Sequence, residues 1–397
     1  MIDCATVIAA PAAAMILADF GADVIKIEKP GQGDMLRMLA NISTTPYADS
    51  NWFWQLDGRN KRSISLDLKT DQGLEILHQL VAECDVFITN QPYDQRESSG
   101  LTYEALRPLN KKMIYASLTA FGEKGEERDR KGFDQIAYWA RSGLMELMRE
   151  PGTRPTQGLP GMGDHPTSLA LYAGIVTALL KRSQTGEGSL VQTSLLANGL
   201  WSAAGIAQGV IAGGDMPLYR ELNRFEPAMM RPYRTQDDRW FQFNMIRTEE
   251  MLDLLLQALD ALHLLTDNRF SSPELMFENR EILGDKLQAI VETKTKDEWL
   301  PIFRSFDLPV NLVAIVEEIL DDAQIRINNM VVTPEDEDVD TRLVINHPIV
   351  ISDIPQVGPK RAPDLAEHRD KILEELGYQA EDIADLSRQG AFGPETT

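Results

Sequence analysis

Residues 2–28, IDCATVIAAPAAAMILADFGADVIKIE, open the pattern that decides the fold. IDCATVIA (2–9) is a β-like run, Ala12 to Phe20 follows as an apolar helical segment, and DVIKIE (23–28) is a second β-like run. The alternation continues through RSISLDL (62–68), DVFITN (85–90), MIYASL (113–118) and SLVQTSL (189–195). Helical patterns lie between them at Asp71 to Glu83, Tyr103 to Arg107 and Asp134 to Met148. Strands that alternate with helices predict an α/β domain with a largely parallel sheet. Ligands of such sheets sit beyond the carboxyl ends of the strands, where loops lead into helices, and Ala9, Asn90 and Asp164 fall in or near such loops.

The texture changes from about Leu200. An Ala/Gly-rich helix ending near Gly213 and Gly214 leads into EPAMMRPYRTQDDRWFQF (226–243). The stretch from Trp240 to about Leu320 combines the β-like WFQFNMI with amphipathic helices that include Glu249 to Leu259 and Glu281 to Thr293, which reads as a smaller α/β or α+β module. An acidic run, PEDEDVD (334–340), reads as a solvated loop. After it come the β-like RLVINHPIVI (342–351) and a closing helix in HRDKILEELG (368–377). The expected divisions are 1–200, 215–325 and 326–397; periodicity leaves open whether the last part returns to the first.

The chain has 397 residues, 43% apolar and 25% charged, the balance of a soluble globular protein with room for two or three domains. Its net charge of -22 argues against general affinity for nucleic acid or an anionic membrane, although a local basic patch can still hold a phosphate. No apolar run approaches the roughly 20 residues of a membrane helix, and the N-terminus lacks the basic segment of a secretion signal, so a cytoplasmic location is expected. Cys4 and Cys84 sit in or beside β-like runs and read as buried small hydrophobes. The five histidines are scattered singly, so no metal is indicated.

The segment with the most chemical promise is GMGDHPTSLALYAGIVTALLKRSQTGEGSLVQTSLL (161–196). Leu169, Leu171, Ile175, Val176, Leu179 and Leu180 recur at near-helical spacing, and Pro166 falls in the first turn. Asp164 therefore stands at or just before a helix N-terminus, where unpaired N–H groups and the macrodipole favour an ionised carboxylate. A plain helix cap is the competing reading of such a residue. Gly161 and Gly163 allow close approach of a ligand or another backbone.

Lys26, Lys29, Arg37, Arg59, Lys61, Arg62 and Lys69 cluster within the first seventy positions. Lys29 and Arg37 bracket the loop PGQGD, and Arg59 to Arg62 precede a strand, so both sets are candidates to face one anionic ligand such as a phosphate. No P-loop, no GxGxxG after a strand and no GxSxG elbow is present, which removes the main support for an ATPase, a nicotinamide dehydrogenase or a serine hydrolase.

Taken in order along the chain, these residues resemble the class III coenzyme A transferases, the family of formyl-CoA transferase, the carnitine-CoA transferases and the α-methylacyl-CoA racemases. The resemblance runs through VIAAPAAAMILADFGADVIKIEKPGQGDMLR (7–37), NKRSISLDLKTDQG (60–73), DVFITNQ (85–91), GLTYEALRPLNKKMIYASLTAFGEKG (100–125) and KGFDQIAYWARSGLM (131–145). It continues through the GMGD to TGEG segment, RPYRTQDDRWFQF (231–243) and EHRDKILEELGY (367–378).

The resemblance implies that Asp164 is the catalytic aspartate, which attacks an acyl-CoA thioester and carries CoA as an aspartyl thioester before passing it to a free carboxylic acid. CoA is then a substrate, with no permanently bound cofactor. The implied CoA contacts are Ile8, Ala9, Lys29, Leu66, Asp67, Leu68, Lys69, Asn90, Gln91, Lys131, Gly132, Phe133 and Asp134. Lys29, Lys69 and Lys131 become the phosphate candidates and Arg59 to Arg62 structural ones. A further basic or histidine position of the family is Ser98 here. The implied fold is a large Rossmann-like domain with a parallel sheet plus a smaller α/β domain, in a homodimer of interlocked rings whose C-terminal part returns to the first domain. The racemase branch places an acid–base histidine where this chain has Phe133, which cannot exchange a proton. A racemase, with His165 standing in, and a non-catalytic CoA-binding relative are the alternatives. The glycine-rich acceptor loop of the oxalate-using members has no counterpart at 213–245. The family's short lead-in before the first strand is also missing, and the sequence leaves open whether the native N-terminus starts earlier.

Overall fold

The computed structural model describes residues 1–397 except 151, 224–226, 245–248 and 394–397. The chain forms two compact units, residues 1–208 with 324–397, and residues 209–323. In the first unit six strands pair in parallel: β1 (Ile2–Cys4), β2 (Val24–Glu28), β3 (Lys61–Ser65), β4 (Val86–Thr89), β5 (Ile114–Thr119) and β6 (Ser189–Ser194). Their order is β3-β2-β1-β4-β5-β6, so the direction of winding reverses between β1 and β4. A crevice opens at such a reversal, beyond the carboxyl ends of the strands. Ile2 sets the central register, opposite Ile25 on one side and Phe87 on the other. Strands β1, β2, β4 and β5 are buried at every residue, as parallel strands covered on both faces are, whereas the edge strand β6 is largely half-exposed or exposed.

One face of the sheet is covered by the helix Asp71–Glu83 through Ile76, Leu77, Leu80 and Val81. The C-terminal helices Arg369–Glu375 and Ala380–Arg388 add Ile372, Leu373 and Ile383 to the same core. That tail is also tied to the strand ends by backbone bonds, Asp67 N–H to the Ala391 carbonyl at 2.8 Å and His368 N–H to the Ser63 carbonyl at 3.0 Å. The other face is covered by the helix Ala9–Asp19, buried at all eleven residues, and by Leu171, Ile175 and Ala178 of the helix Asp164–Thr185. Alanines at 9, 10, 12, 13, 14 and 18 leave room for this close helix-on-sheet layer.

Local departures from the expected pattern have physical causes. The first helix starts at Ala9 rather than Ala12, because Pro11 falls in the first turn, where its missing N–H has no intrahelical partner to lose. The expected helix from Asp134 to Met148 is instead a π-helical turn, Gln135–Ala140, and a short helix, Leu144–Leu147. Gly143, at φ 89°, separates them. Of RLVINHPIVI only Val344–Ile345 forms a strand, β11, antiparallel to β10 (Val331–Val332). In the second unit β7 (Pro232–Arg234), β8 (Trp240–Phe243) and β9 (Val310–Leu312) form an antiparallel sheet. The last two residues of WFQFNMI lie outside the described residues. Tyr233, Phe241, Phe243, Trp299 and Phe303 fill this unit's core, and the buried Trp299 indole N–H donates to the Val291 carbonyl at 2.8 Å. Among the described residues no helix is long and apolar enough to cross a membrane.

Most of the early basic cluster is turned inward, so the first reading of the whole cluster as a face for one anionic ligand is corrected, while Arg59 to Arg62 are structural as the resemblance implies. Arg59 is fully buried and pairs with Asp19 at 2.7 Å. Lys61 pairs with Asp3 at 2.9 Å, Lys26 with Asp34 at 2.7 Å, Arg37 with Glu28 at 2.7 Å, and Arg62 with Glu375 at 2.7 Å. Removing one member of a buried pair strands the other without water or partner. Arg59→Met is therefore expected to cost about 3 kcal/mol, read as a lower midpoint in chemical denaturation of the full chain.

Candidate active site

A cavity of about 880 Å³ lies in the first unit at the carboxyl ends of the sheet strands. Residues that follow β1 (Ala5 to Ala9), β2 (Lys29), β3 (Leu66 to Lys69), β4 (Asn90 and Gln91), β5 (Ala120) and β6 (Leu195) all line it. Asp164 also lines it.

The loop after β1 is held in an unusual conformation. Val7 has φ 71°, in the left-handed region that a β-branched residue rarely enters. Its N–H donates to Asp34 Oδ1 at 2.8 Å, and Asn90 clamps Thr6 from both sides, accepting its N–H at 3.0 Å and donating to its carbonyl at 2.7 Å. The buried Lys26 ammonium donates to the Ala5 carbonyl and pairs with Asp34. Strain fixed by this many bonds is a mark of ligand sites. Burial opposes the ionised forms of Asp3 and Lys26, yet their mutual attraction prevails: the Asp3 carboxyl is held below its usual range and the Lys26 ammonium above its own.

Asp164 is the first residue of the helix Asp164–Thr185, and its side chain caps nothing; the cap position is Gly163. The cap reading of the sequence is thereby set aside. A Cβ on Gly163 would lie 2.2 Å from Asp134 Oδ1 and 2.5 Å from the Tyr138 ring, so only glycine fits there. Gly163 N–H donates to Asp134 Oδ2 at 3.1 Å, which seats the Asp134 carboxylate beneath the turn. Asp164 is only 9% exposed. Burial first, and then the charges of Asp134 and Asp57, push its carboxyl up to about 7, against the pull of His165. The helix terminus alone predicts a fully ionised group at neutral pH; desolvation and two neighbouring carboxylates act against that dipole and raise the acid toward neutrality.

His165, the next residue, has Nδ1 3.1 Å from the Gly161 carbonyl and Nε2 3.3 Å from Asp57 Oδ1. Burial works against its charge, but Asp57 and then Asp164 outweigh burial, and the imidazole is pushed up to about 9. The Cys4 thiol also lines the cavity; burial pushes it up to about 12, so it remains a thiol.

The model for CoA-transferase family III matches residues 1–369 of this sequence. The chain belongs to CoA-transferase family III.

Two relatives are each 33% identical to it. One is (R)-2-hydroxy-4-methylpentanoate CoA-transferase of Clostridioides difficile, over 386 residues with 96% of both chains covered. The other is cinnamoyl-CoA:phenyllactate CoA-transferase of Clostridium sporogenes, over 395 residues with 98% of this chain and 95% of the relative covered. Among solved structures, a CAIB/BAIF family protein from Brucella suis is 27% identical and superposes with a TM-score of 0.81 over 94% of this chain and 97% of that one.

In this family III CoA-transferase, twelve of the residues singled out as CoA contacts line one cavity with Asp164: Ile8, Ala9, Lys29, Leu66, Asp67, Leu68, Lys69, Asn90, Gln91, Lys131, Gly132 and Phe133. Asp134 does not line it, and instead lies behind the GMGD turn, bonded to Gly163. Ser98 lines the cavity as well, and so do two cations that sequence reasoning passed over, Arg128 and Arg130. Arg128 pairs with Asp129 at 3.0 Å and lies 4.4 Å above the Tyr93 ring. The run RDRK at 128–131 is the signal that could have flagged them. Asp57, Asp34 and Val7 carried no local signal, because their roles come from what packs against them.

The raised Asp164 has a stability consequence. A carboxyl whose folded value lies above its unfolded one favours the folded state while protonated, and that contribution is lost as pH rises through about 7. Asp164→Asn, neutral at every pH, is expected to stabilise the chain by on the order of 2–4 kcal/mol at pH 8 and by roughly a third of that at pH 5, measured as the pH dependence of Tm.

Proposed function

We propose that this enzyme moves CoA from an acyl-CoA thioester to a free carboxylic acid through a covalent intermediate on Asp164. The observation that carries the reading is a buried, uncapped carboxylate, poised near neutrality, that lines a cavity at the sheet's topological switch point. The ionised carboxylate attacks the thioester carbonyl carbon, the C–S bond breaks, and CoA leaves as its thiolate, giving a mixed anhydride. The thiolate then attacks the aspartyl carbonyl, expels the donor acid as its carboxylate and leaves an aspartyl-CoA thioester. The acceptor carboxylate repeats both steps in reverse order and departs as the new CoA ester. Two easier acyl exchanges replace one direct exchange, with no metal and no net proton transfer. Lys29, Lys69 and Lys131 are the side chains proposed to meet the CoA phosphates, as ammonium groups on flexible stems.

A racemase needs a second acid–base group facing the α-carbon beside the aspartate. Phe133 offers none, and both ring nitrogens of His165 already face acceptors. For the acceptor, the names of the two relatives at 33% identity support 2-hydroxy acids with a branched or aryl side chain as the first compounds to assay. We also propose an interlocked homodimer working in the cytoplasm. Exposed apolar side chains such as Trp201 (80%) and Leu180 (63%) support a covering partner, and light scattering should give twice the chain mass.

Incubation with a panel of acyl-CoA donors, trapping with hydroxylamine or borohydride and mass spectrometry should place the modification on Asp164. The trapping rate should rise with pH through about 7 and then level off. Asp164→Asn should lower exchange by on the order of 10³-fold or more. No adduct with any donor, or unchanged exchange in this variant, overturns the reading; deuterium entering the α-carbon without CoA exchange favours the racemase.

A further inference from the structure

Asp164 is surrounded by influences that favour its neutral form: burial, Asp134 and Asp57. The mechanism above needs the ionised form. The cation that acts in the opposite sense is His165, and its surroundings fix its own charge. Its two ring nitrogens face the Gly161 carbonyl at 3.1 Å and Asp57 Oδ1 at 3.3 Å, and both of these groups only accept. A neutral imidazole donates from one nitrogen, so only the imidazolium satisfies both bonds. Asp57 is fully buried in the helix Trp52–Gly58, and its Oδ2 has no hydrogen-bond partner among the described residues, so the imidazole is the group its side chain bonds. Gly161, at φ 77°, brings its carbonyl to the ring, and a Cβ there would stand 3.3 Å from the imidazole.

We propose that Asp57 and His165 form a positioning dyad in which Asp57 and the Gly161 carbonyl hold His165 as an imidazolium beside Asp164, and this fixed cation keeps the nucleophile in its attacking form. The charged groups facing the imidazole are Asp57 across the turn, Asp164 on its own helix and Asp134 from the segment before the π-helical turn; Lys61 acts on Asp57 in turn. No proton leaves His165 in any step, because the thiolate and both carboxylates depart as anions. The dyad acts through Asp164 and is not itself a catalytic residue.

The inference rests on Asp164 as the nucleophile, and the test separates the two. In the full-length protein labelled with ¹³C-aspartate, the Asp164 carboxyl is identified by its loss in Asp164→Asn and titrated directly, without substrate. His165→Gln should move that titration up by about one pH unit, so that about tenfold less carboxylate is present at pH 6. The trapping rate should shift along the pH axis by the same amount and keep its plateau. His165→Arg, which restores a fixed cation, should bring the titration back. Asp57→Asn should lower the His165 titration from about 9, read at the imidazole Cε1 proton. An Asp164 titration unmoved in His165→Gln, or moved alike in His165→Arg, overturns the dyad. A shifted titration with no adduct from any donor leaves the dyad standing and removes the nucleophile.

Discussion

Lys26 carries its ammonium into the fully buried centre of the first unit, and the site depends on what that charge holds. It lies in β2 between Asp3 of the neighbouring β1, at 3.6 Å, and Asp34 beyond the strand end, at 2.7 Å, and it donates to the Ala5 carbonyl. Burying an ammonium is tolerable only where carboxylates and carbonyls replace its water. Those same groups fix the turn after β1: Asp34 accepts the N–H of Val7, and the strained Val7 in turn starts the helix Ala9–Asp19 at the cavity's edge. Lys61 closes the network, donating to Asp3 and to the Pro11 carbonyl inside the first turn of that helix. A cluster that reads in sequence as a phosphate patch therefore serves as the internal frame of the crevice.

Around that frame the electrostatics divide into two regimes. Deep in the unit, opposite charges outweigh desolvation for Asp3 and Lys26 and favour their ionised forms, whereas burial and the neighbouring Lys26 draw Lys61 below its usual range. At Asp164 burial and the like charges of Asp134 and Asp57 outweigh the pull of His165, the helix terminus contributes only a partial positive charge, and the carboxyl is raised to about 7. A carboxylate raised in this way is more basic than a solvated aspartate. The overall charge of -22 does not prevent binding of an anionic thioester, because Lys29, Lys69, Lys131, Arg128 and Arg130 all lie on the cavity lining.

Much of the cavity was legible in the sequence because Rossmann-type sheets put their loops on one edge, and a loop is found wherever a β-like run gives way to a helical one. Asn90, Lys69 and Ala9 were reachable by that rule alone. Asp134 follows Lys131, Gly132 and Phe133 in sequence but does not share their place on the cavity lining, because the chain turns into a π-helical segment there and the carboxylate accepts the Gly163 N–H. Arg128 and Arg130 were missed because they lie on a loop without periodicity, where the run RDRK marks a basic stretch but not which of its side chains face the crevice. Arg59 shows the reverse case, a charged residue in a polar stretch that is nonetheless fully buried, since Asp19 from another helix waits for it.

The sequence by itself determined the strand–helix alternation, hence the parallel sheet, and the place of Asp164 at the start of a long helix behind two glycines. These are properties of spacing along the chain, and spacing survives without coordinates. Only the tertiary structure decided the burial and neighbouring charges of Asp164, the two acceptors that face His165 and which basic residues line the cavity. Desolvation and Coulomb energy depend on distance through space, and the groups that set them here, Asp57, Asp134, Asp3 and Asp34, come from segments that only folding brings together.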